Sequence, residues 1–427
     1  MISFIVFVLF ILLLLIRIPI SIVLGVTTVV YFLMNGQIPL LESTPLRMYS
    51  GLENFGLLAI PLFMLMGEIM NEGGITTRLV KFARVFIGHF KGGLAYVTVV
   101  ANMFLASILG SANAQAAMMS KVMVPQMEKE GYSREFSSSI TLASSVIAPI
   151  IPPSMIFIIY GTLSSTSIGA LFMAGIVPGI IYGIAFILLI SYIGMKQNFP
   201  KSERATGSEM IQSTIQVIPA LLIPITVIVG ILSGVFTATE SAAVACFLAL
   251  IVGLFFYREL KYKKLPKILL NTVINTATVT FLIIMANIFG WMIAFERIPQ
   301  LLVDSMLSIT DNPWVFLLLV NIALIFVGML LDGIAALIIL VPVMMPLVTA
   351  LNIDPVHFGV IICINLTIGL LTPPVGTGLF IVSSMADIKF ERLVKAVIPF
   401  IIVSFAVLLL LTFIPSLVTF VPKWLGM

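Results

Sequence analysis

The sequence predicts an all-α polytopic membrane protein built from two related halves of opposite orientation. Three observations predict it. Sixty per cent of the 427 residues are apolar and nine per cent charged, with a mean hydropathy of +1.22, and so little charge cannot cover a water-soluble chain of this length. Apolar runs separated by short polar loops recur from end to end. A shift of 221 residues lays Pro125 on Pro346, Pro152-Pro153 on Pro373-Pro374 and Pro178 on Pro399, with Val122-Met123 over Val343-Met344 and Ile140 over Ile361. An internal repeat centred on polar, Gly/Pro-broken backbone inside an apolar chain is a transporter pattern.

The first run, Ile2–Ile16, is closed by Arg17 and Pro19, and Pro19–Met34 follows. With no basic leader before it and no small-residue cleavage site, the first run reads as a retained span. Phe55–Met70 carries Glu68 and precedes a basic loop with Arg78, Lys81, Arg84 and Lys91. Gly93–Gly110 and Ala112–Met127 lie back to back around a Gly/Ser tip and read as a re-entrant hairpin over about 93–127. Phe136–Leu163 is one span broken by Pro149 and Pro152-Pro153, and Ile168–Met195 closes the first half, residues 1–200. The polar stretch Lys196–Gln216 is expected to hold the linker, 201–216. The second half, 217–427, repeats the pattern: Val217–Leu232, Ser241–Tyr257, Val273–Phe295, a hairpin over 313–347 with Asp332-Gly333 at its tip, a broken span over 357–385, and Val394–Val421.

Each half thus has five crossings, one re-entrant hairpin and one Pro-Pro-broken helix. Five is odd, so the second half must be inserted upside down. Placing the Arg78–Lys91 loop in the cytoplasm puts 19 of the 22 Lys and Arg there, Arg17 included, and leaves only Arg47, Arg297 and Lys423 outside. That asymmetry obeys the positive-inside rule. It makes both termini external, the first hairpin open from inside and the second from outside. Trp291, Trp314 and Trp424 fall near span ends as interface anchors.

Non-helical backbone survives at membrane depth only where protein or a wet cavity satisfies its N–H and C=O groups. The Ser111-Ala-Asn113 tip, the Asp332-Gly333 tip and the two Pro-Pro breaks are therefore expected to meet near the midplane. Helix C-terminal ends there present carbonyls that suit a cation such as Na⁺, and N-terminal ends present N–H groups that suit a carboxylate. Hydroxyls of Ser107, Ser111 and Thr372 and the Asn113 amide add oxygen ligands, and Gly110, Gly328, Gly333 and Gly376 let backbone bend and approach. Asp332, a carboxylate in an apolar run, points to ion or substrate binding; it also reads as an N-cap of the helix that follows. Glu68 and Glu240 lie near span ends as structural hydrogen-bonding groups. Ser144, Ser145 and Asn365 stand just before the breaks, either lining the cavity or packing. Gly175, Gly179 and Gly183 form a helix-contact stripe.

The composition excludes several classes. The net charge of +4 sits in short loops and gives no nucleic-acid footprint. The two cysteines, Cys246 and Cys363, lie in apolar runs and His89 and His357 stand far apart, so neither a disulfide framework nor a transition-metal site is expected. The chain has no GxSxG, HExxH, GxxxxGK[ST] or CxxC motif, so no enzyme, no cofactor and no direct nucleotide drive are expected.

Ala59-Ile-Pro-Leu-Phe63, Gly88-His-Phe-Lys-Gly-Gly93, Gly110-Ser-Ala112, Ile151-Pro-Pro-Ser154, Leu171-Phe-Met-Ala-Gly175, Phe236-Thr-Ala-Thr-Glu-Ser241, Ile353-Asp-Pro-Val-His-Phe-Gly359 and Thr372-Pro-Pro-Val-Gly376 together resemble the large membrane subunit of TRAP (tripartite ATP-independent periplasmic) transporters. The resemblance spans essentially the whole chain. Ala238 departs from the proline the family usually carries there. The resemblance implies a Na⁺-coupled importer in a bacterial inner membrane, with an elevator-type motion, a small four-helix membrane subunit and a periplasmic substrate-binding protein. Asp332 with Thr372-Pro-Pro-Val-Gly376 is similar to the branch that handles sugar acids, sialic acid above all. Carried onto this sequence, one Na⁺ site would use Ser107, Gly110, Ser111, Asn113 and Ile151. Its twin would use Gly328, Asp332, Gly333, Thr372 and Gly376. The substrate carboxylate would lie near Ser111, Ser154, Asp332 and the N–H groups after Pro374, with Val375 first among them.

Overall fold

A computed structural model describes residues 2–16, 18–196 and 199–427 of the chain. Among these residues twenty α-helices form, and the one extended pairing is a bridge between Lys91 and Lys201. Eight helical segments are long and apolar enough to cross a membrane. Arg17, assigned above to the cytoplasmic charge, lies outside the described residues.

The chain opens with α1 (Ile2–Leu15) and α2 (Ile20–Met34). Apolar-run reading places no helix between Met34 and Phe55, yet α3 (Ile38–Ser50) forms there, a proline in its first turn and only Thr44 buried. Its ring of polar groups suits an interface, where apolar-run counting finds nothing. After α4 (Ala59–Glu72) the basic stretch proves to be no loop. It is α5 (Ile75–Ile87), whose buried Ile75, Leu79, Val80 and Ala83 recur at helical spacing. Arg78, Lys81 and Arg84 occupy the other face, so the helix lies amphipathically with its charges outward.

The two hairpins are α6 (Gly93–Leu109) with α7 (Ala112–Lys129), and α15 (Pro313–Leu330) with α16 (Gly333–Ala350). The broken helices are α8 (Arg134–Ser145) with α9 (Met155–Ser164), and α17 (Pro355–Gly369) with α18 (Thr377–Met385). Both Pro152–Pro153 and Pro373–Pro374 bonds are cis. Every residue of α8 from Phe136 to Ser145 and of α17 from His357 to Gly369 is buried, so these two limbs form the centre of the core. The second limb of each hairpin packs against the half-helix beyond the other half's break: α7 on α18, and α16 on α9. The halves are interleaved.

The remaining long helices are α10 (Ile168–Lys196), α11 (Gly207–Leu232), α12 (Ala238–Ile251), α13 (Leu265–Phe295) and α19 (Phe390–Phe413). α11 starts inside the segment read as linker. A capping box explains it: Thr206 and Glu209 each bond the other's backbone amide, a device that contributes about 1 kcal/mol. Glu240 closes a second such box with Thr237 on α12, the structural role read for it. α13 likewise starts earlier than its apolar run. Two short helices missed in the sequence, α14 (Ile298–Ile309) and α20 (Ser416–Trp424), precede the second hairpin and end the chain.

One layer of helices, α2, α4, α11, α12 and α13, packs mainly within itself; α5 joins it to α6, and α13 touches α16. Ion pairs gather the loops at one end of the bundle: Arg78–Glu259 at 2.7 Å, Arg84–Glu130 and Arg134–Glu128 at 2.6 Å, Lys264–Glu72 at 2.5 Å and Arg392–Glu135 at 3.4 Å. All five cations belong to the set that charge asymmetry assigned to one side.

Candidate functional site

The two hairpin tips stop where their helices must stop. Gly110 takes a left-handed φ of +56°, and a side chain there would press on the Pro153 carbonyl at 3.3 Å. The chain then turns into Ser111, whose hydroxyl accepts from the Ala114 amide at 3.4 Å and caps α7. At the second tip Asp332 caps α16, its Oδ1 accepting from the Ile334 amide at 3.0 Å. The N-cap reading of Asp332 is thus correct. The carboxylate lines the cavity described below and is exposed there, so capping leaves it available to a ligand.

Both tips open on one cavity of about 50 Å³. It is lined by Gly110, Ser111, Ala112 and Asn113 of the first tip, Asp332, Gly333 and Ile334 of the second, and Pro149, Met155, Ile156, Leu366, Thr367 and Leu370 of the two breaks. Five of the residues singled out in the sequence therefore converge: Gly110, Ser111, Asn113, Asp332 and Gly333. Thr377 at the start of α18 donates to the Asn113 side-chain oxygen at 3.4 Å, tying the first tip to the second break.

The other candidates stand behind this wall. Ser107 donates to the Phe104 carbonyl at 2.7 Å, and Thr372, just past the end of α17, to that of Ile368 at 2.9 Å, so both hydroxyl protons are used within their own segments. Ser154 is fully buried; it caps α9 and donates to the Pro149 carbonyl at 2.5 Å. Ile151 fits against Gly179, and the Ile150 carbonyl against Gly175, so the glycine stripe of α10 seats the first break. Gly376, at φ +49°, donates to the Met329 carbonyl at 3.4 Å, with the Thr372 and Leu370 carbonyls beside its α-carbon. Val375 is half-buried next to it and does not line the cavity.

Gly328 has a packing role the sequence did not reveal. It lies directly on Gly369 of α17, where an added β-carbon would fall 2.4 Å from the Gly328 carbonyl oxygen. Gly369→Ala is expected to force α15 from α17 at a cost of about 1–3 kcal/mol. Gly328→Ala, whose nearest contact is 3.3 Å, should cost less. Thermal unfolding midpoints of the two purified variants test that order.

Side-chain amides fix each hairpin to its broken helix. Asn102 of α6 donates to Ser144 at 2.5 Å and receives Gln115 of α7 on its side-chain oxygen at 2.7 Å. Asn365, which the repeat places on Ser144, donates to the Asn321 side-chain oxygen at 2.8 Å, and Asn321 donates to Thr412 at 3.0 Å. Ser144, Ser145 and Asn365 are buried in this packing and do not line the cavity. Gln115 and Asn365 each keep one buried amide oxygen without a protein donor. Asn102, Gln115 and Asn321 were legible only as amides in apolar helices, a sign of interhelical bonding.

The arrangement is a partly open pocket of capped helix N-termini, an amide, hydroxyls and one carboxylate, bordered by apolar side chains. It offers oxygen ligands to a hard cation and N–H groups to an anion. Residues 7–417 match the family model described as the DctM component of tripartite ATP-independent periplasmic transporters. The chain belongs to the DctM family.

Relatives within this family agree. The chain is 40% identical over 377 residues to the sialic acid TRAP transporter large permease protein SiaM of Vibrio cholerae, covering 88% of each chain. It is equally 40% identical to the 2,3-diketo-L-gulonate TRAP transporter large permease protein YiaN of Escherichia coli, covering 88% of this chain and 89% of that one. It is 35% identical to the C4-dicarboxylate TRAP transporter large permease protein DctM of Pseudomonas aeruginosa, over 90% of both. The sialic acid TRAP transporter permease protein SiaT of Haemophilus influenzae, 36% identical over 96% of this chain, is longer, with 66% of it covered. The fold resembles that of the Alcanivorax borkumensis YdaH transporter, with a TM-score of 0.66 at 13% identity, covering 96% of this chain and 98% of that one. A DctM chain is thus a membrane transport protein, one component of a tripartite system, and the relatives are permeases, not enzymes.

Proposed function

We propose that this DctM chain imports an organic acid together with Na⁺ across a bacterial inner membrane by elevator-type alternating access. The observation that carries the proposal is the shared cavity: two capped hairpin tips and two helix breaks, one of each from either half, open on one space. Na⁺ fits the oxygens around Ser111 and Asn113 on one side and Asp332 and Gly333 on the other, and the acid's carboxylate fits the exposed N–H groups between them. A cavity of about 50 Å³ is ion-sized, well below the roughly 300 Å³ of organic-ligand pockets, so an acid enters only when the surrounding helices move.

The inverted repeat is supported by the exchange of α7 onto α18 and α16 onto α9, which a two-fold axis in the membrane plane would generate. Under that reading both termini are periplasmic, the first hairpin is re-entrant from the cytoplasm and the second from the periplasm. In intact cells, a cysteine replacing Ser308 is expected to react with an impermeant reagent from outside and one replacing Lys263 is not. The reverse pattern overturns the orientation.

The partners in this reading are a small four-helix membrane subunit and a periplasmic binding protein. The tripartite family description supports them, and the SiaT relative, of which this chain covers 66%, has room for a further segment. Sialic acid is the proposed substrate, supported by the SiaM relative; the equal identity to YiaN keeps another sugar acid as the second reading. The test is uptake of labelled sialic acid into proteoliposomes holding the chain, its small subunit and the binding protein. Uptake driven by an inward Na⁺ gradient and dependent on the binding protein is expected. Na⁺-independent flux would sink the coupling, and uptake without binding protein would make the chain a stand-alone carrier. Uptake of diketogulonate or a C4-dicarboxylate in place of sialic acid would reassign the substrate.

A further inference from the structure

We infer that the chain holds one phospholipid with a primary-amine headgroup, its acyl chain lodged between α16 and the helices α1 and α13. A second cavity, about 280 Å³, lies there, walled by Val6 and Phe10 of α1, Met292 and Ile293 of α13, and Ile339 and Val343 of α16. It borders a small apolar cluster, with Tyr31 and Phe32 of α2, that is separate from the main core. An apolar cavity of this kind repels water and accepts apolar molecules. These helices belong to the bilayer, and Phe7 at the cavity's edge is 60% exposed, so the apolar molecule at hand is a lipid chain.

The cavity's polar end selects the headgroup. Tyr31 donates its hydroxyl to the Glu296 carboxylate, and both residues line the cavity. Glu296 is half-buried and supplies an anion for an ammonium. On the same end of α13, the exposed Arg47 of α3 stands over the Trp291 ring, 5.2 Å from its centroid. A carboxylate at the rim of an apolar slot suits an ammonium-bearing headgroup on an acyl chain. The lipid would touch α16 two turns from Asp332, on the flank of the limb that carries the second tip. This inference rests on the membrane assignment and not on the substrate or coupling ion.

Trp291 packs beside the slot and reports on it. In a Trp314→Phe/Trp424→Phe background, the full chain in detergent micelles, first alone and then with a tryptophan-free version of its small membrane partner, is titrated with phosphatidylethanolamine or phosphatidylglycerol carrying brominated acyl chains. Quenching of Trp291 is expected to reach half its maximum at about tenfold less phosphatidylethanolamine than phosphatidylglycerol. Glu296→Gln should erase that preference, and Ile339→Phe/Val343→Phe should abolish the quenching by filling the slot. Equal titration by the two lipids overturns the inference and needs no variant that might misfold. Quenching that persists in the filled variant, or that disappears once the small subunit binds, overturns it too.

Discussion

Asp332→Asn is expected to insert and fold like the unaltered chain while raising the Na⁺ concentration for half-maximal uptake about tenfold or more. The substitution separates the residue's two roles. Asn caps a helix as well as Asp does, so the bond to the Ile334 amide at 3.0 Å survives, while the negative charge is lost. A carboxylate about 4 Å from a cation contributes about 4 kcal/mol where the effective dielectric is near 20. The amide oxygen replaces part of that, and each 1.4 kcal/mol that remains missing is about tenfold in affinity. Asp332→Ala removes the cap as well and should add about 1 kcal/mol of destabilisation. Uptake measured against external Na⁺, beside thermal unfolding of both variants, makes the division visible. If Asp332→Asn leaves Na⁺ activation unchanged, the carboxylate is a cap and nothing more.

What the sequence made legible follows from which forces act along the chain. The Pro-Pro breaks and the tips at Gly110 and Asp332 were readable because proline and glycine act on their own backbone, whatever packs around them. The spans were readable because the bilayer demands continuous apolar runs. Amphipathic helices escaped the same reasoning. α5 buries one face and keeps charge on the other, and α3 buries only Thr44, so a scan for apolar runs reads both as loops. The early starts of α11 and α13 escaped because a helix continues past the hydrocarbon edge wherever caps allow it, as Thr206 and Glu209 do.

At the site, the residues that share a tip were legible together, because neighbours in sequence at a turn are neighbours in space. The second rank was not. The hydroxyls of Ser154, Thr372 and Ser107 each donate to a carbonyl of their own segment, a partner that leaves the oxygen lone pairs for a cation and that the sequence does not display. Gly328 looks like a hinge for a ligand and instead meets Gly369. A hydroxyl's partner and a glycine's neighbour depend on how helices cross, and no local pattern encodes that.

Ser111→Leu is expected to abolish uptake while Ser111→Thr retains it. Ser111 lies on the wall of a cavity of about 50 Å³. Leucine puts three carbons where one oxygen stood, so its side chain fills the space an ion would need or pushes the tips apart. Overpacking of this kind costs about 1–3 kcal/mol, and loss of the cap to Ala114 costs about 1 kcal/mol more. Threonine keeps both the capping oxygen and an oxygen toward the cavity, at the expense of one methyl group. Initial uptake rates in proteoliposomes at saturating Na⁺, normalised to inserted protein, give the comparison. Full transport by Ser111→Leu would mean that neither ion nor substrate passes the first tip, and the functional site would then have to be sought away from the cavity where the two hairpins meet.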